Sequence, residues 1–185
     1  MAMPVPFAFR ARVHYGPVLL FSAWYNTDSY NKMKQISLTT DGGCIGNPGP
    51  GGWACVLRYN DRVRELSGAE QDTTNNRMEL RAVIEGLRVL KEPCAVLIRT
   101  DSKYVKDGMT KWIHSWKSKG WVHKEKGKPG RQPIKNRELW EEVERLQTRH
   151  EVVWEWVKGH ANDEDNKRCD VLANTAARSL NKFKT

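Results

Sequence analysis

The chain has 185 residues, 39% of them hydrophobic and 29% charged, with a formal net charge of +9. That length suits one domain, or one domain plus a tail, with a real core, and the basic balance points to a polyanionic partner. No run of about 18 apolar residues occurs, which excludes a membrane-spanning helix. Cys44, Cys55, Cys94 and Cys169 have neither C-x-x-C nor zinc-site spacing, so free thiols in a reducing compartment are expected.

Residues 1–33 differ from the rest of the chain. They hold Pro4, Pro6 and Pro17, show no clear period, and place the apolar patch Val18–Phe21 behind Arg10 and Arg12. A secretory signal lacks a convincing small-x-small cleavage site, and a transit peptide fits the single acid, Asp28, but not the scarcity of serine. A poorly ordered extension, or a start-site artefact upstream of Met33, is the expectation, with the working domain at 34–182.

Gln35–Thr40 reads as a strand ending in Asp41, with Gly42 and Gly43 expected to turn the backbone and let a ligand come close. Cys44–Gly52 is a Gly/Pro loop without the Gly-Lys-Ser/Thr ending of a triphosphate-binding loop. Trp53–Tyr59 and Arg62–Gly68 form a hairpin about Asn60-Asp61. Thr73–Asn76 is a polar cap cluster for a helix to about Lys91, before Pro93. Its apolar stripe is Leu80, Val83, Ile84, Leu87 and Leu90, and Glu79 shares the stripe's edge.

Cys94–Thr100 reads as a buried strand, again ending in an aspartate, Asp101. Gly108 is expected to break the helix after it, and Lys111–Lys119 to resume it with Trp112 and Trp116 on one face. Gly120–Pro133 reads as a basic loop. Lys111–Arg137 holds nine Lys/Arg against one acid, a net of +8 out of +9, which leaves +1 for all the rest. The charge is therefore one patch, interleaved with Trp112, Trp116 and Trp121, as a nucleic-acid backbone site requires. An amphipathic helix from Arg137 to about His150 turns Leu139, Trp140, Val143 and Leu146 inward. Val152–Val157 is the last strand, and a final helix from about Asp165 to Leu180 is expected to bury Cys169, Leu172, Ala173, Ala176 and Leu180, with Asp170 beside that face.

Asp41 and Asp101 stand at strand ends, and Glu79 and Asp170 in the first turns of helices that must pack on that sheet. In open α/β sheets ligands gather beyond the carboxyl ends of strands. Four carboxylates would repel one another and raise one another's pKa, a conflict that hard divalent cations remove; oxygen-only donors suit Mg²⁺ or Mn²⁺. Beside a basic groove, the natural reaction is phosphodiester hydrolysis with two metals roughly 4 Å apart, one activating water and one stabilising the leaving 3′ oxygen.

These stretches resemble the type 1 ribonuclease H family in its bacterial form. The matches are Thr40–Cys44 with Gly46–Gly52, Thr74–Leu80, Thr100–Val105, Trp154–His160, and Cys169-Asp170 with Leu172-Ala173. The resemblance implies an α/β fold: a five-stranded mixed sheet of order 3-2-1-4-5, strand 2 antiparallel, with helices on both faces. It implies endonucleolytic cleavage of the RNA strand of RNA–DNA hybrids, with 5′-phosphate and 3′-hydroxyl products and roles in removing primers and R-loops. It implies two Mg²⁺ ions, replaceable by Mn²⁺, on Asp41, Glu79, Asp101 and Asp170, with His160 assisting proton transfer or product release.

Lys111–Arg137 matches the family's basic protrusion, which grips the DNA strand and includes Trp112, Trp116, Lys117, Lys119, Trp121, Lys124 and Lys135. Thr74 and Asn136 match positions that hold a DNA phosphate. Asn47, Asn76 and the Gly-rich loop match positions near the RNA strand, whose 2′-hydroxyls tell it from DNA, and Cys44 and Asn75 are further substrate-binding candidates. A cytoplasmic monomer with no obligate protein partner and no membrane association is expected. Departures are Gly43 in place of serine, Lys167 where an extra acid often stands, and a longer basic loop. Two other readings, a non-catalytic binding module and a transposase- or resolvase-type nuclease, are opposed by the full carboxylate set and by the Trp-bearing protrusion respectively.

Overall fold

The computed structural model describes residues 32–159 and 163–180. Expectations for residues 1–31 and for His160 therefore lie outside the described residues. In chain order the elements are β1 (Lys34–Cys44), β2 (Gly49–Tyr59), β3 (Arg62–Thr73), α1 (Asn75–Arg88), β4 (Cys94–Thr100), α2 (Lys103–Asp107), a π turn (Gly108–Trp112), α3 (Ile113–Ser118), β5 (Val122–Lys124), β6 (Arg131–Pro133), α4 (Arg137–Gln147), β7 (Glu151–Trp156) and α5 (Glu164–Ser179). Five strands form one sheet in the order β3-β2-β1-β4-β7. β2 runs antiparallel to β1 and β3, whereas β1, β4 and β7 are parallel. This is the expected order and polarity; the fifth strand is seventh in the chain because β5 and β6 form a separate ribbon.

Burial on two faces dictates the layers. Alternate residues of β2 point opposite ways. Cys55 and Leu57 pack with Leu80, Val83, Ile84 and Leu87 of α1, while Ala54 and Val56 pack with Cys169 and Ala173 of α5. The four α1 side chains are at most 1% exposed. At roughly 1.5–3 kcal/mol each, their gross burial exceeds any helix-propensity difference over the same residues and fixes which way α1 faces. No described helix is long and apolar enough to cross a membrane.

Several elements differ from their expected form, most for a reason of packing. Gly42 and Gly43 do not turn the chain: β1 continues through Cys44, because β2 offers Trp53, Gly52 and Gly51 as ladder partners. β3 likewise runs on to Thr73 against the start of β2. Gly108 does not break a helix. It keeps helical dihedrals (φ −55°, ψ −53°) within a continuous run, and a Cβ there would fall 2.2 Å from the Trp140 ring. The glycine is a seat for Trp140, and the π turn takes up the register.

α1 ends at Arg88 rather than Lys91. On α5 the fully buried stripe is Asn166, Cys169, Ala173 and Ala177, with Leu172 only partly buried, because small side chains let the helix sit close on β2. The basic loop is partly ordered as a ribbon, β5 pairing with β6 through Val122↔Pro133, His123↔Gln132 and Lys124↔Arg131. Trp116 roots it: its ring lies 5.7 Å from Trp112, 6.4 Å from Trp121 and 5.2 Å from Trp140. Such aromatic contacts carry large buried area and a fixed geometry.

Candidate metal centre and nucleic-acid interface

The parallel register of β1 and β4 ends with Thr40 beside Thr100. The next residues, Asp41 and Asp101, therefore emerge side by side at the carboxyl end of the sheet. Glu79 reaches them from α1, whose first turns cross directly over Gly42. A Cβ at Gly42 would lie 2.3 Å from the Met78 carbonyl carbon and 2.4 Å from the Glu79 nitrogen, so only glycine allows this approach. One carboxylate oxygen from each of Asp41, Glu79 and Asp101 lies within 4.8 Å of the others.

Glu79 is 6% exposed, and its Oε2 has no hydrogen-bond partner among the described residues. Burial, and after it the charges of Asp41 and Asp101, push its pKa well above the usual carboxylate range. Two like charges 4 Å apart repel by about 4 kcal/mol at an effective dielectric of 20. A buried acid left unpartnered beside two others fits a site built for hard cations, since its donor set is all oxygen.

The remaining contacts fix Asp41 and Asp101. Asp41 Oδ1 accepts from the Gly42 N–H at 2.8 Å. The Asp101 carbonyl accepts from Trp156 Nε1 at 2.9 Å, and its Oδ2 accepts from Asn166 Nδ2 at 3.3 Å. Asp170 does not join the three close carboxylates; its Oδ1 accepts from Asn174 Nδ2 at 2.7 Å. It lies one helical turn beyond Asn166, on the flank of α5 that meets Asp101.

At the start of α1, which carries Glu79 two residues beyond Arg77, is an open recess of ≈ 430 Å³ lined by Asn47, Thr74, Asn76, Arg77, Lys135 and Asn136. The N-termini of α1 and α4 both border it, through their caps Thr74 and Asn136. Helix N-termini present unpaired N–H groups and favour anions. Asn136 sits in the left-handed region (φ 59°), donates to the Tyr104 hydroxyl at 3.3 Å and accepts from Arg77 Nη1 at 3.3 Å. Asn47 Oδ1 accepts from the Asn75 N–H at 3.1 Å. The Cys44 thiol donates to the carbonyls of Gly49 and Thr73, both at 3.3 Å, and so ties the strand ends together.

Arg77 is a site residue that the sequence did not single out. Its signal was its place inside Asn75-Asn76-Arg77-Met78-Glu79, one turn ahead of the buried stripe. On the protrusion, Trp112 is exposed, Trp116 is half-buried and Trp121 is buried under Arg137, so they offer unequal surface to a ligand. Lys117 pairs with Glu144 at 2.7 Å, whereas Lys119, Lys124 and Lys135 form no ion pair among the described residues.

The family model for RNase H matches residues 33–178. The chain is 55% identical over 140 residues to a ribonuclease H of Mesorhizobium japonicum, covering 76% of each chain. It is 54% identical over 145 residues to a ribonuclease H of Erythrobacter litoralis, covering 78% of this chain and 97% of that one. Among solved structures, LC9-RNase H1, described as a type 1 RNase H with the type 2 active-site motif, superposes with a TM-score of 0.70 at 35% identity, covering 80% of this chain and 74% of that one. With the sheet order, the acid cluster and a match across most of its length, the chain belongs to the ribonuclease H family, alongside bacterial members.

Proposed function

We propose that this chain is a metal-dependent endoribonuclease that hydrolyses the RNA strand of RNA–DNA hybrids, leaving 5′-phosphate and 3′-hydroxyl ends. The observation that carries the proposal is Glu79: a buried carboxylate with an unpartnered oxygen, set against Asp41 and Asp101. Asp41, Glu79 and Asp101 hold Mg²⁺, or Mn²⁺ in its place, and Asp170 completes the set from α5. When bound, two such cations supply the positive charge that an attacking water and a leaving 3′ oxygen require. The chain's own contribution is placement. The end of the β1–β4 pairing and the Gly42 crossing fix Asp41, Glu79 and Asp101 before substrate arrives, so these three need no reorganisation at reaction.

Asn47, Asn75 and Asn76 face the RNA strand, Thr74, Arg77 and Asn136 receive a DNA phosphate, and the ribbon with Trp112, Lys119, Lys124 and Lys135 tracks the DNA backbone. His160 moves a proton or aids product release. In the cell this activity serves primer and R-loop removal by a cytoplasmic monomer. The test is cleavage of an end-labelled RNA–DNA hybrid with Mg²⁺, beside duplex DNA and the Asp41→Asn variant. Cleavage of the hybrid alone, nearly abolished in the variant, is expected; equal activity of wild type and variant would sink the mechanism.

A further inference from the structure

Arg99 lies on β4 two residues before Asp101, directly across from Glu155 of β7. It is 22% exposed at the side chain, and it makes two ion pairs: Nε to Glu155 Oε2 at 3.0 Å and Nη2 to Asp163 Oδ2 at 2.7 Å. Asp163 is the N-cap of α5, and its side chain is only 12% exposed. Its other oxygen, Oδ1, accepts from the backbone N–H groups of Asp165 and Asn166, at 3.0 and 3.1 Å. Asn166 is the residue whose Nδ2 donates to Asp101 Oδ2. The contacts therefore close a ring. They run from Arg99 to the Asp163 carboxylate, to the Asn166 backbone and side chain, to the Asp101 carboxylate, and back along β4.

We infer that Arg99 is a positioning residue for the metal centre. It clamps the N-terminus of α5 to β4, and so sets the orientation of the Asp101 carboxylate through Asn166. A surface ion pair would not do this, but the Arg99–Asp163 pair is largely shielded from solvent, and with the more exposed Glu155 the clamp's members lie on three elements, β4, β7 and the start of α5. Asp163 Oδ2 is held by charge alone, without a hydrogen bond, and Oδ1 by capping, and the two contacts together restrict its rotation. Groups that orient a ligand carboxylate shape metal affinity without touching the ion. The inference rests on the reading of Asp41, Glu79 and Asp101 as cation ligands.

The test is calorimetric titration of the metal-free protein with Mg²⁺, alongside steady-state cleavage of the hybrid. The variants are Arg99→Gln, Arg99→Lys and Asp163→Asn; the last keeps the capping oxygen and removes only the charge. Arg99→Gln and Asp163→Asn are expected to weaken Mg²⁺ binding roughly tenfold, to lower kcat with little change in KM, and to be no worse combined than singly. Arg99→Lys, which keeps one charged contact, should recover part of the loss. Variants that lower Tm but bind Mg²⁺ as wild type does would overturn the inference and leave the metal site standing. A wild-type protein that binds no Mg²⁺ would instead remove the underlying reading and the inference with it.

Discussion

Gly42→Ala is the smallest change with a large expected effect. The added Cβ would meet three backbone atoms at the start of α1: the Met78 carbonyl carbon at 2.3 Å, the Glu79 nitrogen at 2.4 Å and the Met78 oxygen at 2.7 Å. Ordinary carbon contacts begin near 3.5 Å, so α1 or β1 must yield by about 1 Å. Backbone cannot rotate away as a side chain can. Overpacking of this kind costs about 1–3 kcal/mol. The functional cost is larger, because the displaced segment carries Glu79 itself, and a misplacement of about 1 Å is worth roughly 100-fold in rate.

The assay is kcat on a labelled hybrid together with Tm. Gly43→Ala serves as the control for stability, since its Cβ meets nothing within 4 Å. We expect Gly42→Ala to lose roughly 100-fold in kcat and Gly43→Ala to keep its Tm. Wild-type kcat and Tm in Gly42→Ala would refute the claim that the glycine exists to let α1 deliver Glu79.

The same geometry gives three further expected outcomes. Because the folded-state pKa of Glu79 is raised, its neutral form stabilises the metal-free fold, and that contribution is lost as pH rises from the ordinary carboxylate range through the raised pKa. Glu79→Gln should therefore raise the Tm of the metal-free protein at neutral pH but not at pH 4, while abolishing cleavage; a pH-independent Tm difference would contradict this. Lys119, Lys124, Lys126, Arg131 and Lys135 form no ion pair among the described residues, so hybrid affinity should fall with salt at a log–log slope near −4, and Lys124→Ala with Lys126→Ala should flatten it by about 2. Asn136→Gly keeps the left-handed backbone and loses the contacts with Tyr104 and Arg77, so it should raise KM, whereas Asn136→Ala should raise KM and be about 1 kcal/mol less stable than the glycine variant, as chemical denaturation would show.

The layers and the two aspartates where the β1–β4 pairing ends were legible because their signals are local. The apolar runs of β2 and β4, the stripe of α1 and the aspartates that follow Thr40 on β1 and Thr100 on β4 can all be read within ten residues or so. Glu79 was legible as an acid on an apolar edge. What escaped was set by neighbours distant in sequence. Nothing near Gly42 says that α1 crosses above it, and nothing near Gly108 says that Trp140 presses on it. The β5–β6 ribbon was hidden because lysines and glycines carry little strand signal, and the aromatic cluster that anchors it is assembled by folding. Arg99 lies within a strand that reads as buried; its partners, Glu155 and Asp163, come from the far edge of the sheet and the start of α5. Arg77 was hidden in plain view inside the motif that delivers Glu79.

The proposed chemistry depends on Asp41, Glu79 and Asp101 forming an acidic cluster whose mutual repulsion is relieved by cations. Carboxyl-detected NMR of the Glu79 side chain, titrated against pH with and without Mg²⁺, tests this most directly. The expected result is a Glu79 pKa well above the ordinary carboxylate range in metal-free protein, falling sharply when Mg²⁺ is added. A Glu79 that titrates in the ordinary range and is indifferent to Mg²⁺ would contradict it.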